Sequence, residues 1–457
     1  MDYTQNAKIA QVTEKSLVIG VDVGSGMHYA RAFNWRGQEL SKKAFSFGND
    51  LVGYLAFTKW MDGYRQSMDA EKVMVGCEPT GHYWFNFARY VKQSGMTLVL
   101  VNPYHVKQTK ELDDNSPTKN DRKDPKTIAK LVSEGRYTFP YMPEGIYAEL
   151  RQAVSSRDRI VKELNASTNR IQRWLQIYFP EFLKVYGKFS AESSLLVLET
   201  APAPAEILAL GAEGVNQIWR EHKLRAVGMK RAKTLVEAAQ KSVGMDGGIC
   251  ARLDLQMLLE DFRRKQEHLK QITEVLKAET LKVPHVEKLL AIKGVGLITV
   301  AGFLAEAGDV GRFDSPKQIQ KLAGLELKEN SSGKHKGQSS ISKRGRKNLR
   351  KILFQAVLPL IRSNDEFREV YHYYTTRQKN PLKGKQAIVA VGCKLIRVFY
   401  AILTRGVDYD ANRLRTDIVR PQGSRPHKQT QNCIWENVRH SVVPDCRNAN
   451  QQQSRAG

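Results

Sequence analysis

Residues 17 to 110 alternate short apolar runs of strand length with longer stretches that carry one apolar face. "LVIGVDVG" (17–24) is apolar and rich in β-branched residues, and Gly24 closes it. "MHYARAFNW", a turn at "RGQ" and "LSKKAFSF" follow, which predicts three consecutive strands joined by tight turns. "NDLVGYLAFTKWMDGYRQ" reads as a helix and "KVMVGCEP" as a fourth strand. "GHYWFNFARYVKQSG" has the period of an amphipathic helix ending at Gly95, and "MTLVLVNP" is a last strand.

Three strands, helix, strand, helix, strand is the order of the ribonuclease H-like fold. Sugar-kinase-type ATPase domains open the same way, so order alone leaves function open.

From 147 the period changes. Tyr147, Leu150, Val154, Val161, Leu164, Ile171, Leu175 and Tyr178 fall on alternating steps of three and four, with Arg157 and Thr168 at two seam positions. Leu255, Leu258, Phe262, Leu269, Ile272 and Leu276 form a second such seam, with Lys265 between. Matching stripes predict either an antiparallel helical hairpin or a dimerising coiled coil. "APAPAE" (201–206) breaks the chain between them, and "GVNQIWREH" and "MKRAKTLVEAAQKSVG" read as small helices.

"VEKLLAIKGVGLITVAGFLAEAGDVGRF" (286–313) reads as helix, Gly294-Val295-Gly296, helix. That pattern resembles a helix-hairpin-helix, whose glycines let backbone N–H groups approach a phosphate; a simple helix-helix turn has the same pattern. A Gly/Ser/Lys loop then runs into a basic helix, and "GKQAIVAVGCKLIRVFYAILTRG" predicts a further apolar helix. Beyond about 411 the chain is rich in Arg, Gln, Asn and Pro without periodicity, which predicts disorder. The expected fold class is α/β followed by all-α: a catalytic domain over 15–140, a helical coiled-coil region over 145–285, a mainly helical domain over 286–410, and a tail.

Composition narrows the class. The 457 residues are 41% hydrophobic, enough for real cores. The apolar runs are short for a membrane span and no secretory leader opens the chain, so a cytoplasmic protein without a membrane partner is expected. Five cysteines (Cys77, Cys250, Cys393, Cys433, Cys446) lack CxxC spacing, which argues against a zinc module or a disulfide framework. The formal net charge is +25 and the pI about 9.7, which point to a polyanionic partner, most simply nucleic acid.

Certain acids stand out against that charge. Asp22 interrupts the first strand's apolar run, where an unpaired carboxylate is costly. Glu78 ends the fourth strand, which lies beside the first in a ribonuclease H-like sheet. Asp121 and Asp124, in "PTKNDRKDPKTIAKLV", sit three apart and so share one helix face, among Lys119, Arg122 and Lys123. A helix start with ordinary ion pairs explains the last two by themselves. All four together suit a pair of magnesium ions, which stabilise the attacking and leaving oxygens of a phosphodiester displacement. Manganese could substitute.

Asp22 in "GVDVG", Glu78 in "CEPTGHYW", and Asp121 with Asp124 in "KNDRKDPKTIAKLV" resemble the DEDD tetrad of the insertion sequence 110 family of transposases. The stretch from "LLAIKGVGLITVAGFLAEAGDVGRF" through "QKLAGLELKENSSGKHKGQSSISKRGRKNLRKILFQAV" resembles that family's second domain. The resemblance implies a RuvC-like first domain and a recombinase that excises and inserts a mobile element. It also implies a noncoding bridge RNA that selects both double-stranded DNA partners, in a bacterial, nucleoid-associated setting. It further implies a serine that forms a covalent phosphoserine link, and the match to "ISKRG" points to Ser342, with Ser339 and Ser340 as neighbours. In that family the serine of one subunit completes the acidic site of another, so a homo-oligomer, dimer or tetramer, is expected. The expected nucleic-acid contacts are Lys119, Arg122, Lys123, Lys293, Gly294, Gly296, Lys334, Lys336, Lys343, Arg344, Arg346, Lys347 and Arg350.

Other readings compete. A junction-resolving nuclease needs the four acids but no covalent intermediate. A sugar-kinase-type ATPase is suggested by "DVGSG" (22–26), yet lacks a second phosphate loop. A noncatalytic RNA-binding protein gives no reason for Asp22 inside an apolar strand. Ser342 could also merely cap the basic helix that follows it.

Overall fold

A computed structural model describes residues 5–113, 124–328, 331–332, 335–336 and 340–415. It divides into two compact units, Met1–Met142 and Pro143–Gly457.

The first unit is α/β. Its strands are β1 (Ser16–Val23), β2 (Met27–Phe33), β3 (Phe45–Gly48), β4 (Lys72–Cys77), β5 (Thr97–Val101) and β6 (Tyr137–Thr138). They form one six-stranded sheet in the order β3-β2-β1-β4-β5-β6. β1 pairs antiparallel with β2 and parallel with β4, which in turn pairs parallel with β5. The predicted third strand is shorter than its sequence pattern, because residues 39–44 run as a loop with one isolated bridge, Phe33 to Glu39.

Helices α1 (Gln5–Ile9), α2 (Leu51–Ser67), α3 (Trp84–Gln93), α4 (Pro103–Asp113) and α5 (Asp124–Ser133) complete this unit. Helix and strand sides are set by period. Leu17, Ile19, Val21 and Val23 of β1 pack with Tyr54, Phe57 and Met61 of α2 and with Phe87, Ala88 and Val91 of α3. Val18 of β1, Met74 of β4 and Val99 of β5 pack on the other face with Ile128, Ala129, Leu131 and Val132 of α5. Burial on both faces explains why β1 reads as an almost continuous apolar run.

Among the described residues, the second unit is helical apart from four two-residue strands. Its longest helices, α6 (Gly145–Tyr178) and α11 (Gly248–Leu281), each have 34 residues and lie against one another. Between them come α7 (Phe182–Tyr186), α8 (Glu192–Thr200), α9 (Pro204–Glu221) and α10 (Met229–Gln240). After them come α12 (Val286–Leu290), α13 (Leu297–Ala307), α14 (Pro316–Leu322), α15 (Lys347–Ser363), α16 (Asp365–Thr376), α17 (Gly384–Arg405) and α18 (Ala411–Arg415). The short strands are β7 (Leu327–Lys328), β8 (Ser331–Ser332), β9 (His335–Lys336) and β10 (Ser340–Ile341), pairing as β7 with β10 and β8 with β9.

The two long helices run antiparallel within one chain. The start of α6 (Leu150, Ala153) and the end of α11 (Leu276) join a core built from α12 to α18. The end of α6 (Ile171, Trp174, Leu175) and the start of α11 (Leu255, Leu259, Phe262) join a second core with α7 to α10. The middle is polar: Lys265 donates to Ser167 Oγ at 3.0 Å. The apolar stripes read from the sequence therefore serve two separate cores.

Two expectations change. Residues 411–415, read as the start of a disordered tail, form α18, whose Leu414 is buried in the larger core. Residues 416–457 lie outside the described residues. The run "QAIVAVGCKLI", taken as short for a membrane span, belongs to the 22-residue α17, which is long and apolar enough by length and composition. Its Ile388, Val391, Leu395, Phe399 and Ile402 are buried among the other helices.

Candidate active site

Glycines bring α5 down onto the sheet. Gly20 of β1 and Gly76 of β4 sit side by side in the parallel register. A Cβ on Gly20 would stand 1.8 Å from the Pro125 carbonyl oxygen, and one on Gly76 would stand 2.5 Å from Val132 Cγ2. Only a residue without a side chain admits helix backbone so close.

Strand alternation then fixes the acids. Asp22 lies two residues after Gly20, and Glu78 two after Gly76, so both share the α5 face at the same ends of neighbouring strands. Asp124 opens the first turn of α5, next to the Pro125 that covers Gly20. Asp22 and Glu78 are half-buried, and the Asp124 side chain is 13% exposed. The Thr80 hydroxyl donates to Glu78 Oε1 at 3.3 Å. Asp124 forms an ion pair with Lys110 of α4, a partner the sequence reading did not include. No sequence signal marks Lys110, because it comes from the helix before α5 and meets Asp124 only through the fold. Asp121, Lys119, Arg122 and Lys123 lie outside the described residues.

Asp22, Glu78 and Asp124 offer carboxylate oxygens, the ligands that a hard divalent cation prefers. Among the described residues, no three such side chains gather closely enough to hold an ion together.

On the opposite sheet face lies His28 of β2, fully buried. Its ring packs between Phe47, Tyr54 and Phe87, and its Nδ1 accepts a 3.2 Å hydrogen bond from the Gly24 N–H. Burial holds its pKa below the ordinary imidazole value. It is a neutral, structural ring that fixes the β1–β2 turn beyond Asp22. Burial likewise pushes the Cys77 thiol up to about 12, so it is no nucleophile.

Ser342 lies in the second unit, in a turn between β10 and α15. The chain here runs back along residues 322–328. Ser342 N–H donates to Glu326 O at 2.7 Å, Lys343 N–H to Gly324 O at 3.0 Å, and Arg346 N–H to Leu322 O at 2.7 Å. Arg346, not Ser342, occupies the cap position of α15. The capping explanation for Ser342 therefore does not apply. Ser342 is half-buried, with Lys343, Arg344 and Lys347 exposed around it.

The other expected contacts divide. Arg346 forms an ion pair with Glu306 at 3.3 Å, and Arg350 donates to Ala323 O at 2.7 Å. Lys293 and Gly296 are exposed ahead of α13, and a Cβ on Gly296 would meet open space. Gly294 instead packs against α15: a Cβ there would stand 2.5 Å from Ser363 Oγ, and its φ is +93°. Lys334 and Ser339 lie outside the described residues, as does the side chain of Lys336.

Two family models match these two regions. A model of the IS110 DEDD transposase spans residues 19–180, and one described as the transposase IS116/IS110/IS902 family spans residues 286–372. The chain belongs to the IS110 family of transposases. Among similar proteins is the transposase for insertion sequence element IS1111A of Coxiella burnetii, 24% identical over 82% of this chain and 90% of its own length. A probable family 20 transposase of Pseudomonas aeruginosa is 26% identical over 76% of this chain and 88% of its own. A pilin gene-inverting protein of Moraxella bovis is 32% identical over 29% of this chain and 41% of its own. This IS110-family transposase is thus a DNA-modifying enzyme with DNA as its partner. The family's DEDD name suggests use of a divalent metal.

Proposed function

We propose that this transposase cuts and rejoins DNA strands through two sets of residues, the acids Asp22, Glu78, Asp121 and Asp124 and the nucleophile Ser342, with a bridge RNA choosing the DNA partners. The observation that carries the first part is the placement of Asp22 and Glu78 at neighbouring strand ends on the sheet face covered by α5, the helix that Asp124 opens. The strand order β3-β2-β1-β4-β5, with β1, β4 and β5 parallel, supports a ribonuclease H-like, RuvC-type domain. Two Mg²⁺ ions held by these acids would supply Lewis-acid stabilisation of the attacking and leaving oxygens.

Ser342 Oγ bonds to the phosphorus as the bond to one deoxyribose oxygen breaks, and the serine proton ends on the departing hydroxyl. The reverse step, with a different strand's hydroxyl attacking, rejoins DNA and frees the serine. Lys343, Arg344 and Lys347 neutralise the phosphate during both steps, supported by their exposure around the serine turn. Lys293 and the Gly296 backbone, both exposed ahead of α13, offer a phosphate contact of the helix-hairpin-helix kind.

The test is a denaturing gel after incubation with element DNA and RNA transcribed from the flanking noncoding sequence. A covalent protein–DNA species that needs the RNA and disappears in Ser342→Ala is expected. Cleavage with no covalent species, or its persistence in Ser342→Ala, would replace this reading with a metal-dependent nuclease or with another nucleophile.

A further inference from the structure

The backbone that carries Ser342 is strained. Lys343 has φ +54°, the left-handed region that costs a residue with a side chain roughly 1–2 kcal/mol. Gly345 has φ +147°, and a Cβ there would stand 2.4 Å from Leu322 O. Strain of this kind persists only where the surroundings over-determine it, and it clusters at functional sites.

Part of that surrounding is the backbone ladder to residues 322–326 described above. The rest comes from side chains distant in sequence. Glu306 on α13, its side chain 15% exposed, accepts from Arg346 Nη1 at 3.3 Å and so ties the far end of the turn to a buried helix. Arg350, one turn into α15, donates from Nη1 to Ala323 O at 2.7 Å and reaches Lys343 O at 3.4 Å. That one guanidinium bridges both strands of the ladder. Gly324, with φ +68°, makes room for it, since a Cβ there would stand 2.9 Å from Arg350 Nη1 and from Arg344 O.

We propose that Glu306, acting through Arg346, and Arg350 are positioning residues that fix where the Ser342 hydroxyl stands, leaving Lys343, Arg344 and Lys347 to meet DNA. This rests on Ser342 being the nucleophile. Neither residue touches the phosphate in this scheme. Their loss should slow covalent attachment rather than weaken DNA binding, because a displacement of about 1 Å can cost about 100-fold in rate.

The experiment uses the full chain with element DNA and RNA. It compares wild type, Glu306→Gln, Arg350→Lys, Glu306→Arg and the double swap Glu306→Arg with Arg346→Glu. The rate of covalent protein–DNA formation is read at saturating DNA, and Kd is read separately at several salt concentrations. Glu306→Gln and Arg350→Lys should lower the rate by about 10-fold or more, as a misplaced nucleophile would, and leave Kd within about twofold. The double swap should recover rate relative to Glu306→Arg alone, which loss of folding by itself would not produce. If instead Arg350→Lys weakens DNA binding with an unchanged rate at saturation, or Glu306→Gln tightens binding, the arginines contact phosphate and the proposal falls. Ser342→Ala keeps the two ideas apart. A persistent adduct in Ser342→Ala sinks the serine reading. Loss of the adduct there, with rates unchanged in Glu306→Gln and Arg350→Lys, sinks only the positioning role.

Discussion

The carbonyl of Pro125 lies over Gly20, so close that a Cβ on Gly20 would stand 1.8 Å from its oxygen. This contact seats α5, and α5 carries Asp124 beside the strand that carries Asp22. Gly20→Ala should therefore push the helix off the sheet, lowering stability by about 1–3 kcal/mol and reducing DNA cleavage together. Gly63→Ala is the contrasting variant, because Gly63 is exposed within α2 and a Cβ there meets nothing within 4 Å. It should stabilise by about 0.5–1 kcal/mol with cleavage unchanged. Thermal melts and a cleavage assay read both, and a neutral Gly20→Ala would mean α5 is not seated by that contact.

Single alanine replacements of Asp22, Glu78, Asp121 or Asp124 should each remove cleavage while the chain stays folded. Near-normal cleavage in any one variant would take that acid out of the site, and unfolding of all four would make the acids structural. Without metal, the melting temperature of Glu78→Ala should stay level or rise, since Asp22 and Glu78 are like charges at the same ends of neighbouring strands. Asp124→Ala should lower it slightly, because Lys110 loses its partner.

If Asp124 holds a divalent cation as proposed, Lys110 would compete with that cation for its carboxylate. Lys110→Met should therefore lower the Mg²⁺ concentration that gives half-maximal cleavage. A higher Mg²⁺ requirement in Lys110→Met would mean that Lys110 helps to assemble the site.

The buried ring of His28 gives the first unit a pH dependence. Its folded pKa is below the ordinary 6.5, so the folded state resists a proton that the unfolded chain accepts. Stability should be full above about pH 6.5 and fall as the pH drops from there toward the folded value. Calorimetry of wild type and His28→Gln should show a smaller loss between pH 7 and pH 5 in the variant. Equal slopes would leave the imidazole out of the acid sensitivity.

Much of the α/β unit is written locally. Asp22 interrupting an apolar, β-branched run announces a strand with an anomalous carboxylate, and Gly95 ends α3 with φ +73° as its sequence suggests. What the sequence hides is any contact made across the fold. Lys110 and Asp124 meet although they belong to different helices, and Glu306 reaches Arg346 from α13. A run of cations such as 343–350 looks uniform in sequence. The fold exposes Lys343, Arg344 and Lys347 and ties Arg346 and Arg350 to protein acceptors. The antiparallel pairing of α6 with α11 was one of two options, because a heptad stripe does not say which helix it will meet.

The paired helices α6 and α11 set a distance. Each has 34 residues, so at about 1.5 Å per residue the pair spans about 50 Å. The bundle of α7 to α10 is thus held at arm's length from the helices around Ser342 by a ruler with angular markings. Inserting one residue at the polar middle of both helices would turn the far bundle about 100° around the axis. Inserting seven in both would lengthen the arm by about 10 Å and nearly restore its phase. Reach and orientation of the distal bundle could therefore be retuned without altering a single residue of either core.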